Sequence, residues 1–251
     1  MKKLLCIILL LTAANTYANE CQFTVRVAEY EPLYYQTSEG NWKGISVELT
    51  DVLMEQSGCR PIYRKYPWKR ALVEIEKGRL DMILNLSFNE KRSQYIHYIG
   101  PMLDETIVLV APKGSNDLIN NLDDLKKIKG KIGILIGQFY GKDFLEKYNS
   151  DKEFAQKFRV LPRSENFINM YKKKHISAFF VDLEYFNLKV KQDTSYSVFS
   201  INPFTIYQNW IYFGFSKKTV EPKQLVRMQE AFVRAKEKGL FEEVIKRYRN
   251  H

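Results

Sequence analysis

The sequence predicts an α/β protein whose sheets are mainly parallel. Three observations carry this. Short apolar runs alternate with amphipathic stretches of helical period along the chain. The alternation runs through one set of elements and restarts after residue 106. Several strand-like runs end in a polar residue, as in "LDMILNLS" and "SAFFVD". With 251 residues, 45% of them hydrophobic, the chain can bury one large core or two smaller ones. Its 16 Tyr, 16 Phe and 3 Trp argue against disorder.

In the first set, "FTVRV" (23–27) alternates as a strand. "GISVELTDVLMEQSG" (44–58) follows as a helix, with Ile45, Leu49, Val52 and Leu53 on one face and Gly58 as its stop. "PIYRKY" (61–66) is a strand. "PWKRALVEIEKG" (67–78) is a helix started by Pro67, with Trp68, Ala71, Leu72 and Ile75 in a stripe. "LDMILNL" (80–86) is the third strand. The second set begins with "TIVLVAPKGS" (106–115). A short helix (121–130), a buried strand "KIGILIG" (131–137), a helix (142–148) and a strand (158–163) come next. Residues 164–174 read as a helix capped by Ser164, with a basic last turn. "SAFFVD" (177–182) is a strand, and "WIYFGFSK" (210–217) a further one. Two helices, 222–239 and 240–248, close the chain.

The first residues read as a targeting segment instead of fold. A basic "MKK", an apolar "LLCIILLLTAA" and small residues in "TYA" fit a secretory signal peptide over residues 1–18. The apolar run is too short for a comfortable membrane span. Cleavage leaves Cys21 and Cys59, an even pair in an oxidising compartment. They start the first strand and precede the second, so parallel pairing of those strands would join them; two buried thiols are the alternative. Two cysteines without a histidine cluster build no zinc site, and the expectation is of no metal and no cofactor. The formal charge is +10, or +8 without Lys2 and Lys3. The basic runs read as solvated helix faces. Export argues against nucleic acid as a partner. No G-x-S-x-G, H-E-x-x-H or phosphate-binding glycine loop occurs.

In open α/β sheets, ligands bind beyond the carboxyl ends of the strands. That rule selects Tyr30, Asn85, Ser87, Gly137 and Asp182. Ser87 offers a hydroxyl at a strand end, and Arg92 in the following turn offers a planar fork that suits a carboxylate. The competing reading makes Ser87 a helix cap with Glu90 three residues on, and leaves Arg92 on the surface. Asp182 can pair with an ammonium group or cap the helix that starts at Leu183, and one carboxylate can do both. Tyr30 and Trp68 can wall the site, although Trp68 also lies on a core stripe.

At this point the residues resemble the family 3 periplasmic solute-binding proteins of amino-acid ABC transporters. "GISVELTDVL", "LNLSFNEKRSQYIHYIGPM", "KGKIGILIGQ", "ISAFFVD" and "AKEKGLFEEVIKRY" are similar to five family motifs in family order. The resemblance implies a two-lobed type II periplasmic-binding-protein fold with a two-segment hinge. Lobe 1 would hold residues 19–106 and 213–251, and lobe 2 residues 107–212. It implies that Arg92 and Ser87 hold a ligand carboxylate and that Asp182 pairs with its ammonium. Tyr30 and Trp68 would wall the ligand, with Asn85 at a small polar position. The second lobe departs from the family: Gln138 and Phe139 follow Gly137 where a threonine is usual, which removes a hydroxyl contact and narrows the pocket. The implied function is periplasmic capture of a small amino acid or related carboxylate by a monomer that serves a membrane ABC permease, and not an enzyme. Two alternatives share the fold. One is a cyclohexadienyl (arogenate/prephenate) dehydratase with a cleft acid such as Glu165 or Glu184. The other is a ligand-sensing partner of a membrane receptor.

Overall fold

The computed structural model describes residues 21–115 and 118–249. The expected signal peptide lies outside these residues. In chain order the elements are β1 (Gln22–Val27), β2 (Tyr35–Gln36), β3 (Trp42–Lys43), α1 (Ile45–Ser57), β4 (Arg60–Lys65), α2 (Trp68–Glu76), β5 (Met82–Ser87), α3 (Glu90–Ser93) and β6 (Ile96–Pro112). A 3-10 turn at Asp123–Lys127 leads to β7 (Ile132–Leu135), α4 (Lys142–Ser150), α5 (Lys152–Gln156), β8 (Phe158–Leu161), α6 (Asn166–Lys172), β9 (Ala178–Asp182) and α7 (Leu183–Gln192). A second 3-10 turn (Thr194–Tyr196), β10 (Phe199–Ser216), α8 (Pro222–Glu237) and α9 (Leu240–Arg249) complete the chain.

Eight strands join in the order β4-β1-β5-β10-β6-β9-β7-β8. The outer strands form two parallel groups: β4, β1 and β5 at one end, and β9, β7 and β8 at the other. Between them β6 and β10 run antiparallel from Phe199↔Pro112 to Ser216↔Ile96. These two long strands are the hinge of a two-lobed fold, and each lobe is a mostly parallel sheet flanked by helices.

The buried clusters divide along the same line. One lobe packs Phe23, Val25, Leu49, Leu53, Phe213 and Phe232 under α1, α8 and α9. Its other sheet face packs Ala71, Ile75, Ile83 and Leu86 against α2. The second lobe has an aromatic cluster around Phe144, Phe154, Phe158 and Phe180, and a cluster around Phe167, Phe179 and Tyr185 on the opposite face. Along β6 the change falls between Leu103 and Ile107; along β10 it falls between Ile206 and Ile211.

Most expected elements are present within a residue or two. Gly58 ends α1 in the left-handed region (φ 65°), where its N–H reaches the last-turn carbonyl of Glu55. The hinge strands are the main extension: the sequence predicts strand only over 106–115 and 210–217, whereas β6 has 17 residues and β10 has 18. Gly100-Pro101, the polar Asp104-Glu105-Thr106 and Gln208-Asn209 interrupt the apolar alternation there, because strands that cross between two cores need not be apolar at the crossing. Ser164 is a smaller correction. It is buried before α6, which starts after Glu165 without a side-chain cap.

Cys21 and Cys59 form a disulfide with Cα atoms 4.6 Å apart. The parallel register Gln22↔Arg60 places the two strand starts side by side, as the sequence argument requires.

Candidate functional site

The site begins with a fault in a strand. Met82 and Leu84 face the α1 side of the sheet, and Ile83 faces the α2 side. Strict alternation would return Leu86 to the α1 side, yet it packs on the α2 side. Asn85 causes the change. It adopts φ 56°, a left-handed conformation uncommon outside glycine, and β5 carries one residue more than β10 between the pairs Ile83↔Gly214 and Leu86↔Tyr212. Asn85 Oδ1 anchors the bulge by accepting a hydrogen bond from Ser46 Oγ at 2.7 Å. The extra residue turns Ser87, instead of Leu86, toward the face where the lobes meet.

Ser87 is not the cap of the next helix. Asn89 caps α3, its Oδ1 accepting from Arg92 N at 3.2 Å. The Ser87 hydroxyl is therefore free for another partner and donates to Glu105 Oε2 at 3.2 Å. Glu105 lies on β6 at the crossing point, paired with Asn209. Ile107, two residues further, pairs with Asp182 of β9. Residues two apart on a strand share a face, as do directly paired ones. Ser87, Glu105 and Asp182 therefore form a polar row on one face of the sheet, from the first lobe through the hinge to the second.

Asp182 caps the helix that follows it, as one of its two expected roles requires. Its Oδ1 accepts from Tyr185 N at 3.1 Å and caps α7. Burial pushes its carboxyl up to about 7, against the lowering effect of the Tyr185 N–H. Glu105 is pushed further, to about 8, first by burial and next by the Asp182 charge; Ser87 and Arg92 oppose the rise. Neither acid has an ion-pair partner among the described residues, and the Arg92 guanidinium has none either. Arg92 stands with its Cζ 5.7 Å from the Trp68 ring. Arg26 approaches the same ring at 5.3 Å. It is itself buried on β1, donating to Tyr34 Oη at 2.6 Å and to the Tyr66 carbonyl at 3.1 Å. Trp68 is thus held as a wall by one cation and faced by another.

The lobes touch across this row. Tyr30 stacks on Tyr185 at 4.9 Å, and its hydroxyl is raised well above the usual phenol range by burial and by Asp182. Gly137, at φ 78°, sits so close to the Trp68 indole that a Cβ there would lie 3.0 Å from Cδ1. Phe139 packs edge-on against Tyr207 at 5.4 Å, and Gln138 Oε1 accepts from Tyr140 Oη at 3.3 Å. At the rim, Lys189 pairs with Glu31 at 3.3 Å. Arg249 of α9 pairs with Glu184 at 2.9 Å and Asp104 at 2.6 Å. Three atoms of this region, Tyr30 Oη, Trp68 Nε1 and Asn85 Nδ2, are among the buried polar atoms without partners. Such atoms cost free energy unless something else satisfies them.

Sequence reasoning missed Glu105, Tyr185 and Arg26. Glu105 left one signal, an acidic pair (Asp104-Glu105) directly before the apolar "TIVLV". Glu165 and Glu184, the acids considered for chemistry, lie elsewhere: Glu165 is exposed at the rim, and Glu184 is taken by Arg249.

Comparison with known proteins agrees with this fold. The model for bacterial extracellular solute-binding proteins, family 3, matches residues 24–251. A search of curated proteins finds no match. Among solved structures, a histidine kinase sensor domain with similarity to periplasmic binding proteins superposes with TM-score 0.76 at 16% identity, covering 92% of this chain and 96% of that one. The arginine-, lysine-, histidine-binding protein ArtJ from Geobacillus stearothermophilus superposes with TM-score 0.74 at 18% identity over 92% and 96%. The ancestral amino acid-binding protein AncCDT-1, a precursor of cyclohexadienyl dehydratase, gives 0.71 at 16% over 90% and 94%. The chain is a member of the bacterial extracellular solute-binding proteins, family 3.

Proposed function

We propose that this protein captures a small amino acid or related carboxylate in the periplasm and delivers it to a membrane ABC permease. Lobe 1 comprises residues 19–106 and 213–251, and lobe 2 residues 107–212; they close on the ligand about β6 and β10. One observation carries the reading. A guanidinium without an anion (Arg92) and a buried carboxylate without a cation (Asp182) belong to the same cleft. A zwitterion supplies both missing charges. Arg92, Trp68 Nε1 and Asn85 Nδ2 hold its carboxylate, Asp182 holds its ammonium, and Tyr30 and Trp68 wall it. Gln138 and Phe139 narrow the second-lobe side. Closure removes water from these pairs and strengthens them. Calorimetric titration with amino acids and small carboxylates tests this. Micromolar or tighter binding that Arg92→Ala abolishes is expected, and undiminished binding in that variant overturns it.

An enzymatic reading on the same fold gains from Glu105. An acid pushed up to about 8 in a cleft stays protonated at neutral pH and can donate a proton to a leaving group. Incubation with prephenate and arogenate separates the readings: turnover lost in Glu105→Gln supports catalysis, and binding without turnover supports transport.

A further inference from the structure

Two of the basic runs in the sequence meet at one end of the second lobe. Ile132 of β7 pairs in parallel with Phe158 of β8 and with Ala178 of β9, so the residues that lead into these three strands are neighbours. Lys157 leads into β8, and its carbonyl accepts from Ile132 N at 2.8 Å. Lys129 and Lys131 lead into β7, and the Lys131 carbonyl accepts from Ser177 N at 2.8 Å. Lys173 and Lys174 lead into β9 from the end of α6. Lys157 is half-buried, and the other four lysines are exposed. All stand at the amino ends of the strands, opposite the carboxyl ends that face the cleft.

The acids on the adjoining segments are already taken. Asp124 pairs with Lys127, Asp123 with Lys147, and Asp151 and Glu153 with Lys126. Asp193 is held down by the charge of Lys172, which is left out of the patch for that reason. None of the five patch lysines has an ion-pair partner among the described residues. Lys131 Nζ donates to the Gln156 carbonyl, which places the charge without neutralising it. The first lobe differs at the same end. Its parallel strands are entered from Cys21, Cys59 and Asp81. The cysteines are bonded to each other, and Asp81 accepts from Thr24 N at 2.8 Å and Thr24 Oγ1 at 2.7 Å.

Helix chemistry explains only part of this. Cations at the ends of α5 and α6 suit the helix dipoles. Lys129 and Lys131 lie beyond the 3-10 turn, directly before a strand, and have no such reason. Lys174 takes φ 58°, a left-handed position where glycine is usual, so α6 ends on a lysine against local preference. The patch has the form of a surface instead of a pocket. Lysines are point charges on flexible stems, without the planar fork that grips a single carboxylate or phosphate. Such charges suit a diffuse anionic layer.

We propose that the amino-end face of the second lobe docks on a bilayer surface rich in anionic phospholipid. The contact lies at the far end of the strands from the cleft, so attachment and ligand capture use different faces. The inference holds whichever molecule the cleft takes.

The test is vesicle flotation with residues 19–251, which include every described element; omitting residues 1–18 keeps their apolar run out of the bilayer. Vesicles of equal parts phosphatidylglycerol and phosphatidylcholine should carry the protein at low salt, and phosphatidylcholine alone should not. Raising the salt should release it. Each lysine near such a surface strengthens binding about fivefold, so Lys129→Gln/Lys131→Gln and Lys173→Gln/Lys174→Gln should each weaken it about 25-fold. All four together should weaken it about a hundredfold or more. Melting curves confirm that these surface variants fold. Lys223→Gln/Lys236→Gln on α8 removes the same charge elsewhere and should change binding less than about twofold. No preference for phosphatidylglycerol, or an equal loss in the α8 variant, overturns the proposal. Tighter binding to soluble polyglutamate than to the vesicles assigns the patch to an acidic protein and overturns it as well. So does calorimetric binding of inorganic phosphate that the patch variants abolish, because it marks a discrete anion site.

Discussion

The centre of the cleft and its rim treat charge in opposite ways. At the rim, Arg249 is matched with Glu184 and Asp104, and Lys189 with Glu31, all partly exposed. At the centre, Arg92, Glu105 and Asp182 have no ionic partner among the described residues, although Asp182 is buried and Glu105 half-buried. Solvated pairs contribute little and cost little to break. Buried charges without partners are costly, and folds keep them where function needs them. The difference marks the centre as the place where something else completes the charge balance.

Breaking the centre should have the largest effect. Arg92→Ala or Asp182→Ala should weaken binding by about 3–5 kcal/mol, since each leaves a ligand charge buried and unpaired. Calorimetry reads this, and affinity within twofold of the parent in both variants would remove the centre from the binding role. The disulfide belongs to neither region. Replacing Cys21 and Cys59 with serine should cost about 3–4 kcal/mol of stability, from the chain entropy of its closed loop, without altering ligand preference. Chemical denaturation with and without ligand separates those effects.

The pH dependence sharpens the comparison. Glu105 and Asp182 have folded values of about 8 and 7, above the ordinary 4.5 and 3.8. Between about pH 4 and 8 the folded state therefore holds protons that the unfolded state releases. Their stabilising contribution is complete below about pH 4 and is lost as pH rises, at up to about 1.4 kcal/mol per pH unit for each group. The ligand-free protein should melt at a lower temperature at pH 8.5 than at pH 5, and Glu105→Gln should flatten the slope. A melting temperature that instead rises across this range, with the same slope in the variant, contradicts the buried-acid account. The smallest effect belongs to the rim: Lys189→Ala should change stability and affinity by less than about 1 kcal/mol.

Much of the candidate site is legible one residue at a time. Arg92 and Asp182 were selected by charge type at the ends of apolar runs, and Tyr30 and Trp68 by their place just beyond strands. Ser87 was selected for its hydroxyl, but the local pattern also fitted a helix cap. That role went to Asn89, because α3 starts later than the Ser87–Glu90 spacing implies. Glu105 was illegible as a site residue. It lies inside a strand whose first half the sequence did not reveal, and its importance comes from neighbours 18 and 77 positions away, Ser87 and Asp182.

By itself the sequence determined the alternation of strands and helices, the pairing of two cysteines at neighbouring strand starts, and the residue types that can hold a zwitterion. These follow from local periodicity and side-chain chemistry, which act over a few residues. The tertiary structure decided that β6 and β10 run unbroken through both lobes, that a left-handed Asn85 turns Ser87 to the cleft, and that a hinge glutamate stands beside Asp182. Register, bulges and burial depend on strands distant in sequence, and burial in particular makes an ordinary carboxylate resist ionising.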